Sequence, residues 1–187
     1  MQLLTEFQIQ YLSPIHYDYP AWPGGERWLQ LYETAEGTQI VFTKGLSNGD
    51  DFLFEIYLES DELIIPEDFG SSWQANLVYE TGRVLPRIPD FTTRLKINTY
   101  LSLQIDMDGA PEEWSLNSPD GNIGLFMGLP SIKLSDLQFL PLNIKLMRPQ
   151  ELSYSIQNDK DGRIKLAELY MKQGDSTISN LERESVV

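Results

Sequence analysis

Thr38 to Glu62, TQIVFTKGLSNGDDFLFEIYLESDE, is the stretch from which the fold is read. It holds two runs of period two, Gln39 to Lys44 and Phe52 to Leu58, parted by a segment of Gly, Ser, Asn and Asp. Alternation bounded by turn residues is a hairpin signal. In the second run Phe52, Phe54, Ile56 and Leu58 fall on one face, and Leu53, Glu55, Tyr57 and Glu59 on the other. The pattern predicts a sheet with one face in the core and the other half wet. Gly45 and Asn48-Gly49 supply the positive backbone angles that such a connection demands.

Working outward toward the N-terminus, Arg27 to Glu33 alternates in the same way, and Glu36-Gly37 turns the chain into the hairpin, which predicts a three-strand meander. Ser13 to Gly25 carries three prolines and two glycines and predicts a loop pinned by its aromatic rings. Phe7, Ile9 and Tyr11 suit an additional first strand.

Toward the C-terminus, Pro66 ends the extended run, and Ser71 with Gln74 forms a capping box that starts a helix near Trp73. Trp73, Leu77, Val78, Val84, Leu85 and Ile88 recur at helical spacing as a core-facing stripe, with Gly82 and Pro86 ending the helix before Ile88. Leu95 to Ile105, Ile123 to Leu129 and Phe139 to Met147 predict further strands. Pro149 opens a region read as two short helices joined at Asp159 to Gly162, and the tail STISNLERESVV is expected to be at least partly ordered.

At 187 residues and 41% hydrophobic content, the chain fills one core, so residues 1–187 are read as a single domain. A formal charge of −14 argues against nucleic acid and anionic membrane, both of which need a basic footprint, and favours a basic protein partner. The absence of cysteine excludes disulfides and thiolate chemistry. No basic segment precedes an apolar run at the N-terminus, and no stretch reaches the roughly 20 apolar residues of a membrane helix, so a cytoplasmic protein is expected.

Motifs for chemistry are weak. His16, the one histidine, stands beside Tyr17 and Asp18 without a visible nucleophile. Gly45-Leu46-Ser47-Asn48-Gly49 is superficially similar to a nucleophile elbow but joins two strands, where the elbow needs a strand-to-helix turn. Asp106, Asp108, Glu112 and Glu113 lack the spacing of a metal loop. Gln157 to Glu168, QNDKDGRIKLAE, matches the calcium-loop pattern at Asp159, Asp161, Gly162 and Glu168 but offers a neutral amide as first ligand. A hydrolase using His16 or a carboxylate pair, and a calcium-responsive module at residues 157–168, are therefore the alternatives; no cofactor is expected. What stands out is Asp50, Asp51, Glu55, Glu59, Asp61, Glu62, Glu67 and Asp68, eight acids uninterrupted by lysine or arginine. They are the candidate partner-binding residues, because a one-signed edge speeds encounter with a basic partner and rejects wrong ones.

Several segments also bear a family likeness. IVFTKGLSNGDDFLFEIYLES resembles the part of suppressor-of-fused-like proteins in which a strand ends in a Gly-Leu-Ser turn, followed by a second strand and a tryptophan-initiated helix, here at Trp73. Pro149 to Leu152 (Pro-x-Glu-Leu), Gly162 to Leu166 (Gly-x-x-x-Leu) and Ile178 to Val186 (Ile-x-x-Leu-x-Arg-x-Ser-Val) are similar to that family's C-terminal half, while residues 89–118 depart from it. The resemblance implies an α/β (α+β) domain whose mixed, largely antiparallel sheet is flanked by helices, and a protein that acts by binding another protein. The animal relatives bind a transcription factor through two domains, and this chain has room only for the first. Small single-domain bacterial relatives imply an immunity protein that neutralises a toxin by direct binding.

Overall fold

The computed structural model describes residues 12–20, 27–48, 52–107, 114, 122–130, 141–174 and 176–187. The predicted meander is its backbone: β2 (Trp28–Thr34), β3 (Gln39–Lys44) and β4 (Ile56–Ser60) pair antiparallel in sequence order. Leu31 stands opposite Val41, which stands opposite Leu58, so one apolar row crosses all three strands.

On one edge β1 (Leu12–Tyr19) pairs antiparallel with β2, its register shifting between Ser13 and Tyr17. Ser13 to Tyr19 thus form a strand where the prolines and glycines of Ser13 to Gly25 predict a loop. Pro14 falls in the register shift, where it interrupts no regular ladder. The strand expected at Phe7 to Tyr11 lies outside the described residues.

On the other side β4 pairs parallel with β7 (Leu142–Met147), and β7 pairs antiparallel with β6 (Ile123–Met127), which pairs with β5 (Leu101–Ile105). The order is therefore β1-β2-β3-β4-β7-β6-β5, mixed and mostly antiparallel, with β8 (Ile178–Ser179) parallel to β4. This is the α+β architecture expected, in one domain.

Helices cover both faces. On one face α1 (Trp73–Val84) and α2 (Phe91–Asn98) close a core of Leu29, Leu31, Val41, Ile56, Leu58, Leu125 and Ile144. The expected stripe points into it: Leu77, Val78 and Leu85 are buried, and Trp73, Val84 and Ile88 pack beside them. The cap, however, is Ser72, whose Oγ accepts from the Ala75 amide at 3.2 Å, while Ser71 turns back to the Asp68 carbonyl. Leu95 to Asn98, expected as strand, form the end of α2, and the strand begins at Leu101.

On the opposite face α3 (Pro149–Lys172) packs Leu152, Leu166, Ala167 and Tyr170 against Phe126 and Met147. Pro149 opens it as expected. Its two halves meet at Asp159, which holds the non-helical angles φ 48°, ψ −127°. Gly162 sits just beyond the kink, where a Cβ would fall 2.8 Å from the Asn158 Cβ.

The half-wet outer face expected of β4 is not found: Tyr57 and Glu59 are as buried as Ile56 and Leu58. A strand held between β3 and β7, with both faces covered, has no wet side.

Candidate functional site

The eight candidate acids divide sharply by environment. Asp50 and Asp51 lie outside the described residues. Glu55 and Glu59, expected on a solvated face, are 4% and 0% exposed and belong to the interior. Asp61, Glu62, Glu67 and Asp68 are exposed.

Glu55 sits where the chain leaves β3. Its carboxylate accepts from the amides of Gly45, Leu46 and Ser47 at 3.0, 3.2 and 3.1 Å, and from the hydroxyls of Thr43 and Ser47 at 2.6 and 2.7 Å. Three successive amides aimed at one anion form a backbone nest, and Gly45, at φ 87°, takes the left-handed angle within it. The Gly-Leu-Ser turn is thus folded around a carboxylate supplied from ten residues downstream. Ser47, the nucleophile an elbow would require, spends its hydroxyl proton on that carboxylate.

Glu59 plays a similar part at the other end of β4, accepting from the Thr38 and Thr177 hydroxyls at 2.8 and 2.9 Å. It ties the start of the hairpin to the C-terminal segment. Both glutamates are structural acceptors, which alternation alone does not distinguish from solvated acids.

Residues 61–68 are built differently. Gln39 clamps Ile64 from both sides: its Oε1 accepts from the Ile64 amide at 2.6 Å and its Nε2 donates to the Ile64 carbonyl at 3.4 Å. Gln74 donates to the Glu62 carbonyl at 3.3 Å, and the Trp73 indole donates to the Glu62 carboxylate at 2.7 Å. Ile64 is held in the core, and extended backbone then sends its two neighbours outward. Leu63 and Ile65 are 63% and 61% exposed. Asp61 and Glu62 precede them, and Glu67 and Asp68 follow in a 3-10 turn over Pro66–Ser71. The result is a fixed segment presenting two large apolar side chains between two pairs of acids.

The alternative sites fare as follows. His16 lies within β1 rather than in a loop. Asp108, Glu112 and Glu113 lie outside the described residues; Asp106 helps line an open groove of about 570 Å³ between α1 and the end of β5, with Tyr79, Arg83 and Gln104. Glu80, also on that groove, is paired with Arg83 at 2.8 Å. Residues 160–168 are helical, so Asp161 and Glu168 lie along α3 instead of wrapping a common point, and Asp159 pairs with Arg163 at 3.0 Å. No group of three His, Asp or Glu side chains gathers as a metal ion would require among the described residues. No helix among them is long and apolar enough to cross a membrane.

One polar centre is not among the sequence candidates. Glu151, fully buried on α3, receives two bonds from the Arg183 guanidinium at 2.5 and 2.6 Å, one from the Tyr170 hydroxyl at 2.8 Å and one from the Val186 amide at 3.0 Å. Arg183 lies over the rings of Trp114 and Tyr170, and Arg148 also stacks on Trp114. Burial pushes the Glu151 carboxyl up, but the Arg183 bonds and charge, with the Val186 and Arg148 amides, outweigh it and hold the carboxyl below its ordinary value. Burial and the neighbouring Glu151 charge push the Tyr170 hydroxyl well above its own. A buried acid held charged by a bidentate arginine is a fastener rather than a proton donor. The signal was present in Pro-x-Glu-Leu and Leu-x-Arg, which meet here, but nothing in sequence pairs residues so far apart.

Comparison with family models, with curated proteins and with solved structures finds no match to this chain.

Proposed function

We propose that this chain is a non-enzymatic protein-binding domain of the suppressor-of-fused-like type, an immunity protein that neutralises a cognate toxin in the cytoplasm by direct contact. The contact surface in this reading is the 61–68 segment, and the partner presents a basic surface with an apolar recess. The observation that carries it is the outward display of Leu63 and Ile65 on a backbone clamped by Gln39 and Gln74.

Large apolar side chains held rigidly outside the core cost little ordering entropy on binding and serve as anchors, with charged neighbours forming the rim. Asp61, Glu62, Glu67 and Asp68 supply that rim, and the net charge of −14 adds long-range attraction toward a basic partner. Toxins that act on nucleic acid carry the basic surfaces such a rim would meet. The likeness to suppressor-of-fused-like proteins supports the same class of action, since that family works by binding.

The test is calorimetric titration of the product of the adjacent gene into the wild type and into Leu63→Ser/Ile65→Ser. We expect the double variant to melt with the wild type and to bind at least about tenfold more weakly. Equal affinity would remove the segment from the interface, and no binding by the wild type would remove the immunity reading.

A further inference from the structure

The sheet is narrowest in its pairing between β4 and β7. The two strands pair only through Ile56 with Leu142 and Tyr57 with Asn143, and β8 pairs with β4 further along, through Glu59 with Ile178 and Ser60 with Ser179. The C-terminal segment thus enters a slot that opens where β4 and β7 part.

Side chains hold it there more than a strand ladder does. From β7, Asn143 donates to the Thr177 carbonyl at 3.3 Å, Lys145 donates to the Ile178 carbonyl, and the Leu146 amide donates to the Ser179 hydroxyl at 3.1 Å. From β4, Glu59 accepts from Thr177, and just beyond it Asp61 accepts from Asn180 at 2.6 Å. Arg148 donates to the carbonyls of Leu181 and Arg183 at 2.6 and 2.7 Å. Arg183 then closes on Glu151, while Leu181 packs on one core and Val186 on the other. These partners come from residues 59–61 and 143–151, far away in sequence. The connection back to α3 runs through Gln173 and Gly174, both exposed, with open space around Gly174.

We infer that the cleft between β4 and β7 is a peptide-recognition slot, and that Thr177 to Val186 is its separable ligand, exchangeable with the same segment of a second copy of this chain. The slot reads the segment by a serine at the Leu146 amide, an apolar residue two positions later, an arginine two beyond that, and an apolar residue three further on. Strand addition in which main-chain bonds give affinity and side-chain pockets give register is an established mode of peptide capture. Here the short ladder leaves most of the recognition to Glu59, Arg148 and Glu151. Covalent attachment keeps the cis copy in place by effective concentration.

The experiment uses the full chain with a protease site inserted after Gly174, cut after folding, and then mixed with a labelled synthetic peptide of residues 176–187. We expect the cut protein to stay folded, to keep its own segment, and to exchange it for labelled peptide over hours. An Arg183→Ala peptide should enter at least about 30-fold more weakly, since it leaves Glu151 buried and unpaired. Two results would each overturn the inference: unfolding on cleavage, which makes the segment an inseparable part of the fold, or no uptake of label by a protein that remains folded. Equal uptake of the Arg183→Ala peptide would overturn the recognition rule.

Discussion

Glu55 and Asp61 are the same kind of side chain by sequence pattern and opposite kinds by environment. Glu55 answers five donors around the Gly45 to Ser47 turn, whereas Asp61 is exposed and touches Asn180. Replacing Glu55 by Gln would turn an NH2 toward amides that need an acceptor, an arrangement that costs roughly 1–3 kcal/mol for each donor left unmet. Glu55→Gln should therefore lose several degrees of melting temperature where Asp61→Asn loses almost none, and thermal melts of the two variants check it. Glu151 adds a pH signature. Its folded carboxyl titrates below its unfolded value, so its contribution is present above the ordinary glutamate range and is lost as pH falls through the folded value. The difference in melting temperature between wild type and Glu151→Gln should shrink as pH is lowered from about 6 toward 2. A difference constant with pH would mean that the carboxylate charge is not what holds Arg183.

At the scale of elements, the meander and α1 were legible because each carries its own period: two for Gln39 to Lys44, near 3.6 for Trp73 to Leu85. The failures have physical causes. β1 carries Pro14, which the strand admits because it falls in the register shift between Ser13 and Tyr17. Leu95 to Asn98 alternates apolar and polar over only four residues, too short a window to separate helix from strand by period. The burial of the second face of β4 is not legible locally because it depends in part on the C-terminal segment, whose Thr177 reaches Glu59 from more than a hundred residues downstream. The joint expected at Asp159 to Gly162 was legible, and its geometry makes two predictions. Asp159 holds angles that glycine adopts at little cost, strain worth about 1–3 kcal/mol, against an ion pair with Arg163 whose carboxylate side is exposed and which is worth about 1 kcal/mol. Asp159→Gly should raise the melting temperature. Gly162→Ala should lower it, because the new methyl would meet the Asn158 Cβ inside the kink. Denaturant titration of both variants tests the pair; a stabilised Gly162→Ala would show that the kink yields.

For the molecule as a whole, the acidic edge was only half legible. Sequence pattern grouped eight carboxylates, but the fold takes Glu55 and Glu59 inside for its own stability and leaves Asp61, Glu62, Glu67 and Asp68 around Leu63 and Ile65. The apolar pair was invisible beforehand, since Leu63-Ile64-Ile65 reads as a buried run until Gln39 is seen to hold only its middle member. The proposed interface would make two separable contributions: apolar anchors that set the lifetime of a complex, and charges that set its approach and salt response. The most direct test is the dissociation constant for the basic partner as salt is raised from about 50 to about 500 mM, for wild type and for Asp61→Asn/Glu67→Gln/Asp68→Asn. The wild type should weaken steadily with salt, and the variant should start weaker and change little. Identical affinities and identical salt dependence in the two proteins would contradict the account.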